Sequence, residues 1–177
     1  GTQASITGKF IGELVPLPAP TVTRDGYTFG GWSDGVTTYP AGGTFTVGDG
    51  NQSFSAVWIG NTNTITYNGN GATSGTAPVN GSFTTGSSTP YTVENNTGNL
   101  AKTGFTFDGW HTTALGTGGT AYVAGTGTLT TTSDMTLYAK WNAASYAVTY
   151  VTGDGASTAP TQANTMYGAA FNLPSAP

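Results

Sequence analysis

Gly26-Tyr27-Thr28-Phe29-Gly30-Gly31-Trp32 returns as Gly104-Phe105-Thr106-Phe107-Asp108-Gly109-Trp110, at a constant offset of 78 residues. A second echo closes each copy: Phe54-Ser55-Ala56-Val57-Trp58 matches Leu137-Tyr138-Ala139-Lys140-Trp141 at an offset of 83. All four tryptophans sit in these matched positions. Self-similarity at a fixed period marks a modular array. The functional question is therefore what a string of modules does, rather than where one reaction centre lies.

Around these stretches the side chains alternate with period two, the signature of strands. Tyr27 and Phe29 alternate, as do Phe105 and Phe107. Leu137, Ala139 and Trp141 share one face, with Tyr138 and Lys140 on the other. Ile65 and Tyr67 recur as Val148 and Tyr150, again 83 residues on. β-Branched threonine between the aromatics favours extended backbone. Gly48-Asp49-Gly50-Asn51, Asn68-Gly69-Asn70-Gly71 and Gly153-Asp154-Gly155 supply turn residues that tolerate positive φ. No stretch of about ten residues carries a 3.6-residue apolar stripe, and Gly and Thr form helices poorly. Helix is expected at most as a single turn near Gly8 to Leu14 or Gly168 to Leu173. The fold class is mainly β: tandem small β-rich modules with very little helix.

Three modules follow from the repeat. Residues 1–60 form a partial module that lacks its first strand, 61–143 a complete one, and 144–177 the first half of another. Thr158-Ala159-Pro160 repeats Thr76-Ala77-Pro78, and Leu173-Pro174-Ser175-Ala176-Pro177 is similar to Leu17-Pro18-Ala19-Pro20. Joined tail to head, the two ends supply about one further module. The expected partners are copies of the same chain, each completing the other's half-module, or adjacent repeats of a longer chain. Unpaired strand edges recruit strands, strand addition is an established mode of recognition, and a contact that does not close into a ring gives a filament.

Composition excludes several classes. Only 7% of residues are charged, against roughly 25% in an ordinary domain. Aromatics at 12% separate the chain from disordered sequences, which are poor in them. The formal charge of −4 and four scattered cations, Lys9, Arg24, Lys102 and Lys140, argue against nucleic acid, which needs clustered positive charge. The same charge disfavours anionic lipid, and no apolar run approaches the ~20 residues of a membrane span. With no cysteine, disulfides and thiolate metal sites are excluded. A Gly/Thr-rich, repetitive, weakly charged chain suits an exported bacterial surface protein. No signal peptide is visible at Gly1, consistent with removal or with an excerpt of a longer chain.

The motifs resemble the Listeria–Bacteroides repeat, also called the internalin B-type repeat. Its pattern is Gly-aromatic-x-Phe-x-Gly-Trp, then Tyr-x-x-Gly, then a strand ending in Ala-x-Trp. Here these are Gly26 to Trp32, Tyr39 to Gly42 and Ala56 to Trp58, and again Gly104 to Trp110, Tyr122 to Gly125 and Ala139 to Trp141. The resemblance implies a small β-grasp-like module strung in tandem on bacterial surface proteins, with spacer and adhesive roles and no shared catalytic residues. The sequence departs from the family at Asn95 to Lys102, where the usual Pro-x-x-Pro approach is missing.

The residues that carry the module are Gly26, Tyr27, Phe29, Gly31, Trp32 and Trp58 in one copy. In the other they are Gly104, Phe105, Phe107, Gly109, Trp110 and Trp141. Aromatics bury roughly 150–250 Å² each, and a module of about 80 residues sits where one core barely suffices. The rings are therefore expected inside, with Gly31 and Gly109 permitting a bulge or close backbone approach. The competing reading is a platform of exposed rings that stacks sugars, as in an adhesin or carbohydrate-binding module recognising a glycan or host surface protein. No catalytic, cofactor or metal residues are expected. His111, the only histidine, reads as a loop residue without partners. The carboxylates show no close pair of the kind a glycosidase needs; Asp34 and Asp108 could meet only through the fold. No Gly-x-Ser-x-Gly elbow is present. Asp49 and Asp154 offer one carboxylate per turn, too few for calcium. Lys140 alternates away from Trp141 towards the surface, which disfavours an intramolecular isopeptide bond from it. The function expected is a non-catalytic extracellular stalk or fibre.

Overall fold

The computed structural model describes residues 5–153 and 158–173, so Asp154 and most of the final Leu173–Pro177 segment lie outside the described residues. Five strands open the chain: β1 Leu14–Pro16, β2 Tyr27–Ser33, β3 Thr38–Tyr39, β4 Thr44–Thr46 and β5 Ser55–Gly60. Two follow as β6 Thr62–Asn68 and β7 Gly81–Thr84. The five-strand set then recurs in the same order: β8 Tyr91–Thr92, β9 Phe105–His111, β10 Ala121–Tyr122, β11 Thr128–Leu129 and β12 Met135–Ala143. The last two are β13 Ser145–Tyr146 and β14 Thr165–Met166. No helix occurs among the described residues; Gly8 to Leu14 and Gly168 to Leu173 form turns and irregular segments, apart from Leu14, which opens β1.

Pairing repeats along with the order. β1 pairs with β4 as β8 pairs with β11, and β3-β2-β5 matches β10-β9-β12. The second set extends further: its sheet runs β10-β9-β12-β6-β7, with β12 parallel to β6 and antiparallel to β9. Both central strands carry a bulge at the same place, beside Gly31 in β2 and beside Gly109 in β9. The glycines explain it. Gly31 has φ 133° and Gly109 φ 89°, a region that a side chain rarely adopts. A Cβ at either would also strike a backbone carbonyl, that of Tyr39 or Tyr122.

Packing divides the chain into two units. The first comprises Gly1–Thr64, Ser82–Tyr91 and Thr130–Asp134, and the second Ile65–Gly81, Thr92–Leu129 and Met135–Pro177. The core of the first holds Val15, Leu17, Trp32 and Phe83; that of the second holds Ile65, Tyr67, Val93, Leu100, Trp110, Leu129, Leu137 and Ala139. Alternation puts them there: β6 buries Asn63, Ile65 and Tyr67 and leaves the residues between them more exposed.

Candidate functional site

The aromatic cluster is the densest chemistry in each copy. In the second unit Trp110 is fully buried. Tyr67 and Phe107 meet it edge-on, with ring centroids 4.7 and 5.3 Å away, the geometry that ring quadrupoles favour. Trp110 Nε1–H donates to the Glu94 carbonyl at 2.8 Å, and the Glu94 N–H donates to the Tyr67 hydroxyl at 2.7 Å. Phe107 continues the edge-to-face chain to half-buried Trp141, whose Nε1–H is shared by the carbonyls of Gly69 and Asn70. Asn70 closes this turn with φ 50°, its amide donating to the carbonyls of Ala114 and Ala139.

The first unit builds the same cluster with one member fewer. Phe29 stands edge-on to Trp32 at 5.2 Å and to Trp58 at 5.6 Å. Trp32 Nε1–H donates to the Pro18 carbonyl at 2.7 Å. Pro18 thus holds the place of Glu94, and Leu17 that of Val93, since Leu17 brackets Gly42 and Gly43 as Val93 brackets Gly125 and Gly127. The offset here is 76, not 78, so the second copy carries two extra residues before its motif. They lie in the Asn95 to Lys102 segment, where the Asn96 side chain clamps Leu100 through both its N–H and its carbonyl. Beside Trp32 lies an open cleft of about 700 Å³, bordered by Val15, Leu17, Phe45 and Phe54 and, on its polar side, by Ser5, Lys9, Gln52 and Ser53.

A second recurring constellation is the joint between strands. One residue, Asn61, separates β5 from β6; one residue, Ala144, separates β12 from β13. Asn61 N–H donates to Gly26 and its carbonyl accepts from Thr85 N–H, at 2.8 and 2.9 Å. Ala144 does the same with Gly104 and Tyr167, both at 2.8 Å. Asn61, Gly26 and Thr85 belong to the first unit, and Ala144, Gly104 and Tyr167 to the second. Near the first, buried Asn63 donates to Thr85 Oγ1 at 2.9 Å and reaches the Phe83 and Thr131 carbonyls. Asn63 was not singled out from sequence, although it falls in register with Ile65 and Tyr67; the signal was a polar residue at an inward position.

The titratable groups are accounted for locally. His111 is not a loop residue: it ends β9, is buried, and pairs with Ala121 of β10. Its Nδ1 accepts the Thr113 N–H at 3.0 Å. The local turn signal after Trp110 did not reveal that pairing, which comes from ten residues away. Asp108 and Lys140 form an ion pair at 2.6 Å on the outer face of β9 and β12. The Lys140 hydrogen bond lowers the Asp108 pKa, with a smaller contribution from Asn142. Asp34 is lowered by the N–H groups of Thr37 and Val36. Among the described residues no group of three or more His, Asp or Glu side chains is placed to hold a metal, and no helix is long and apolar enough to cross a membrane.

The motif residues fall as follows. Gly31, Trp32, Gly109 and Trp110 are buried, whereas Gly26, Tyr27, Phe29, Trp58, Gly104, Phe105, Phe107 and Trp141 are half-buried. The rings of Phe105 and Tyr167 meet edge-on at 5.6 Å at the second joint.

Comparison with known proteins agrees with this repeat. The model of the Listeria-Bacteroides repeat domain matches residues 1–56 and again 64–140. A protein of Evansella cellulosilytica named "Putative Gly-rich membrane protein" is 29% identical over 164 residues, covering 88% of this chain. The chain spans only 18% of that relative's length. No solved structure matches. With the motif recurring in two matched copies, on matching strands, the chain belongs to the Listeria-Bacteroides repeat domain family.

Proposed function

We propose that this chain is part of a non-catalytic structural array at or outside a bacterial cell surface, its repeats joined strand to strand into a stalk or fibre. The observation that carries this reading is the joint. The last strand of one copy runs into the first strand of the next through a single residue, with the same two backbone hydrogen bonds both times. A connection that repeats in this way can be propagated indefinitely, as solenoid and repeat proteins do. Similarity to a short stretch of a long protein named as a Gly-rich membrane protein fits repeats that hold other parts away from a membrane. Stacking a sugar needs exposed planar rings, and the indoles of Trp32 and Trp110 are buried.

The test is length. Chains carrying two, four and six copies of residues 61–143 are expected to show a maximum dimension, by small-angle scattering, that grows in proportion to copy number. Growth as the cube root of copy number would mean collapse into one globule and would end the stalk reading. A glycan-array signal lost on substitution of exposed Tyr146 or Tyr167 would favour the adhesin instead.

A further inference from the structure

We propose that Asn80 is a modification site of the folded chain: its side-chain amide is lost spontaneously to the following backbone nitrogen, leaving aspartyl and isoaspartyl products. The reaction needs water and no enzyme. Gly81 N gives up its proton and bonds to Asn80 Cγ, the Cγ–Nδ2 bond breaks, and the amide leaves as ammonia carrying that proton. Water then opens the resulting cyclic imide. Cleavage at Cγ gives an ordinary aspartyl residue. Cleavage at the Asn80 main-chain carbonyl gives an isoaspartyl link, whose backbone runs through the former side chain and is one methylene longer.

Three Asn-Gly pairs occur in the sequence, at Asn68, Asn70 and Asn80. Glycine in second place opens the route, because the attacking nitrogen meets no neighbouring Cβ and the backbone turns freely. The fold treats the three differently. Asn70 is clamped: it has φ 50°, and its amide nitrogen donates to the carbonyls of Ala114 at 2.7 Å and Ala139 at 2.9 Å. Departure as ammonia would break both bonds. Asn68 is tied as well, since its Oδ1 accepts the Asn70 N–H at 2.8 Å, the turn that such side chains form two residues on. The Gly69 carbonyl in that turn is held by Trp141 Nε1–H at 3.2 Å.

Asn80 is under no such restraint. It is exposed and lies outside every sheet, and its side chain makes no hydrogen bond among the described residues. Val79 before it is 86% exposed, so packing does not fix the approach. Gly81 opens β7, which puts the attacking amide at the end of a ladder, where local opening costs least. The consequence is electrostatic. Residues 50–93 contain no charged side chain, and β7 is the last strand of its sheet. A carboxylate at position 80 is then the first charge in that stretch. It sits at the entry to an edge strand, where charge guards against unwanted pairing. Each conversion also adds one negative charge to the formal net of −4.

The test compares the full chain held folded in mildly alkaline buffer for several weeks with the same chain unfolded in guanidinium chloride. In the folded sample, tandem mass spectrometry is expected to place a gain of about 1 Da, amide to acid, at Asn80 alone. Labelling by isoaspartyl methyltransferase should fall on the same peptide. In the unfolded sample Asn68 and Asn70 should convert alongside it, because their restraints are gone. Gly81→Val is expected to slow the gain at least tenfold, since a branched side chain shields the nitrogen, with circular dichroism unchanged. Asn80→Gln, at a side chain that makes no hydrogen bond, keeps the fold and should stop the acidic shift seen on isoelectric focusing. An unchanged rate in either variant, or conversion of Asn68 or Asn70 in the folded chain as fast as Asn80, would overturn the inference. So would a folded Asn80 that stays intact while the unfolded chain converts.

Discussion

Replacing Trp110 by alanine tests the module core most directly. The indole is wholly buried, meets Tyr67 and Phe107 edge-on and satisfies the Glu94 carbonyl. Truncating a buried Trp costs ~3–5 kcal/mol, and the upper half applies where neighbouring sheet strands cannot collapse into the space. Total stability of a domain is about 5–15 kcal/mol, so the loss is a large fraction of what holds the second unit together. For a unit of this size each kcal/mol lowers Tm by roughly 4–8 °C. The expected drop is therefore at least ~12 °C. Trp32→Ala is the internal control. Trp32 has the same ring neighbour in Phe29 and an analogous carbonyl, but borders the cleft instead of a tyrosine. Its truncation should cost ~1 kcal/mol less, because the tyrosine pair worth ~0.5–1.5 kcal/mol is missing. Because two units need not unfold together, each transition should be followed by amide hydrogen exchange, resolved residue by residue. Full protection of β9 and β12 in Trp110→Ala, or an equal loss for both variants, would refute the reasoning.

Three further outcomes follow from the geometry. Gly109→Ala forces a side chain into φ 89° and against the Tyr122 carbonyl; such strain costs ~1–3 kcal/mol, readable as a lower urea midpoint, and an unchanged midpoint would show that the bulge relaxes freely. Asn63→Ala removes the donor to Thr85 Oγ1 and two longer contacts to the Phe83 and Thr131 carbonyls, the latter still accepting from Thr85 Oγ1; a loss of ~0.5–1.5 kcal/mol is expected, and hydrogen exchange should place it at β6 and β7. The Asp108 pKa is depressed in the folded chain, so its stabilisation is complete above the unfolded value of roughly 3.9 and is lost as pH falls through the lower folded value. The pair is largely exposed, so solvent screening limits the effect to under ~1 kcal/mol; Asp108→Asn should be weaker than wild type at pH 6 by that amount, and the difference should shrink steadily as the solution is acidified, measured by urea unfolding.

Much of this architecture was legible as periodicity. Tyr27 and Phe29 announce a strand because their spacing of two matches a pleat, and Phe105 and Phe107 repeat it. Gly31 and Gly109 announce irregularity because nothing else in a strand calls for a glycine before a large ring. His111 escaped because its strand is prolonged by pairing with Ala121, and distant pairing leaves no mark on neighbouring residues. Val148 and Tyr150 show the converse: they carry the alternation of β6, yet the segment enters no sheet, since pattern supplies a face to bury and not the surface that buries it. The two extra residues before Gly104 were visible only as a departure from the family pattern. Their accommodation depends on the Asn96 clamp, a contact that spacing cannot reveal.

The parallel pairing of β6 with β12 has a mechanical corollary. These are the first and last strands of the complete repeat, lying side by side and pointing the same way. A tensile load applied through the two chain ends therefore slides one strand along the other, loading their hydrogen bonds together in shear. Peeling, in which bonds rupture one after another, would need the strands to run oppositely. A repeat wired in this fashion resists drag along its own axis far better than its modest folding free energy would suggest.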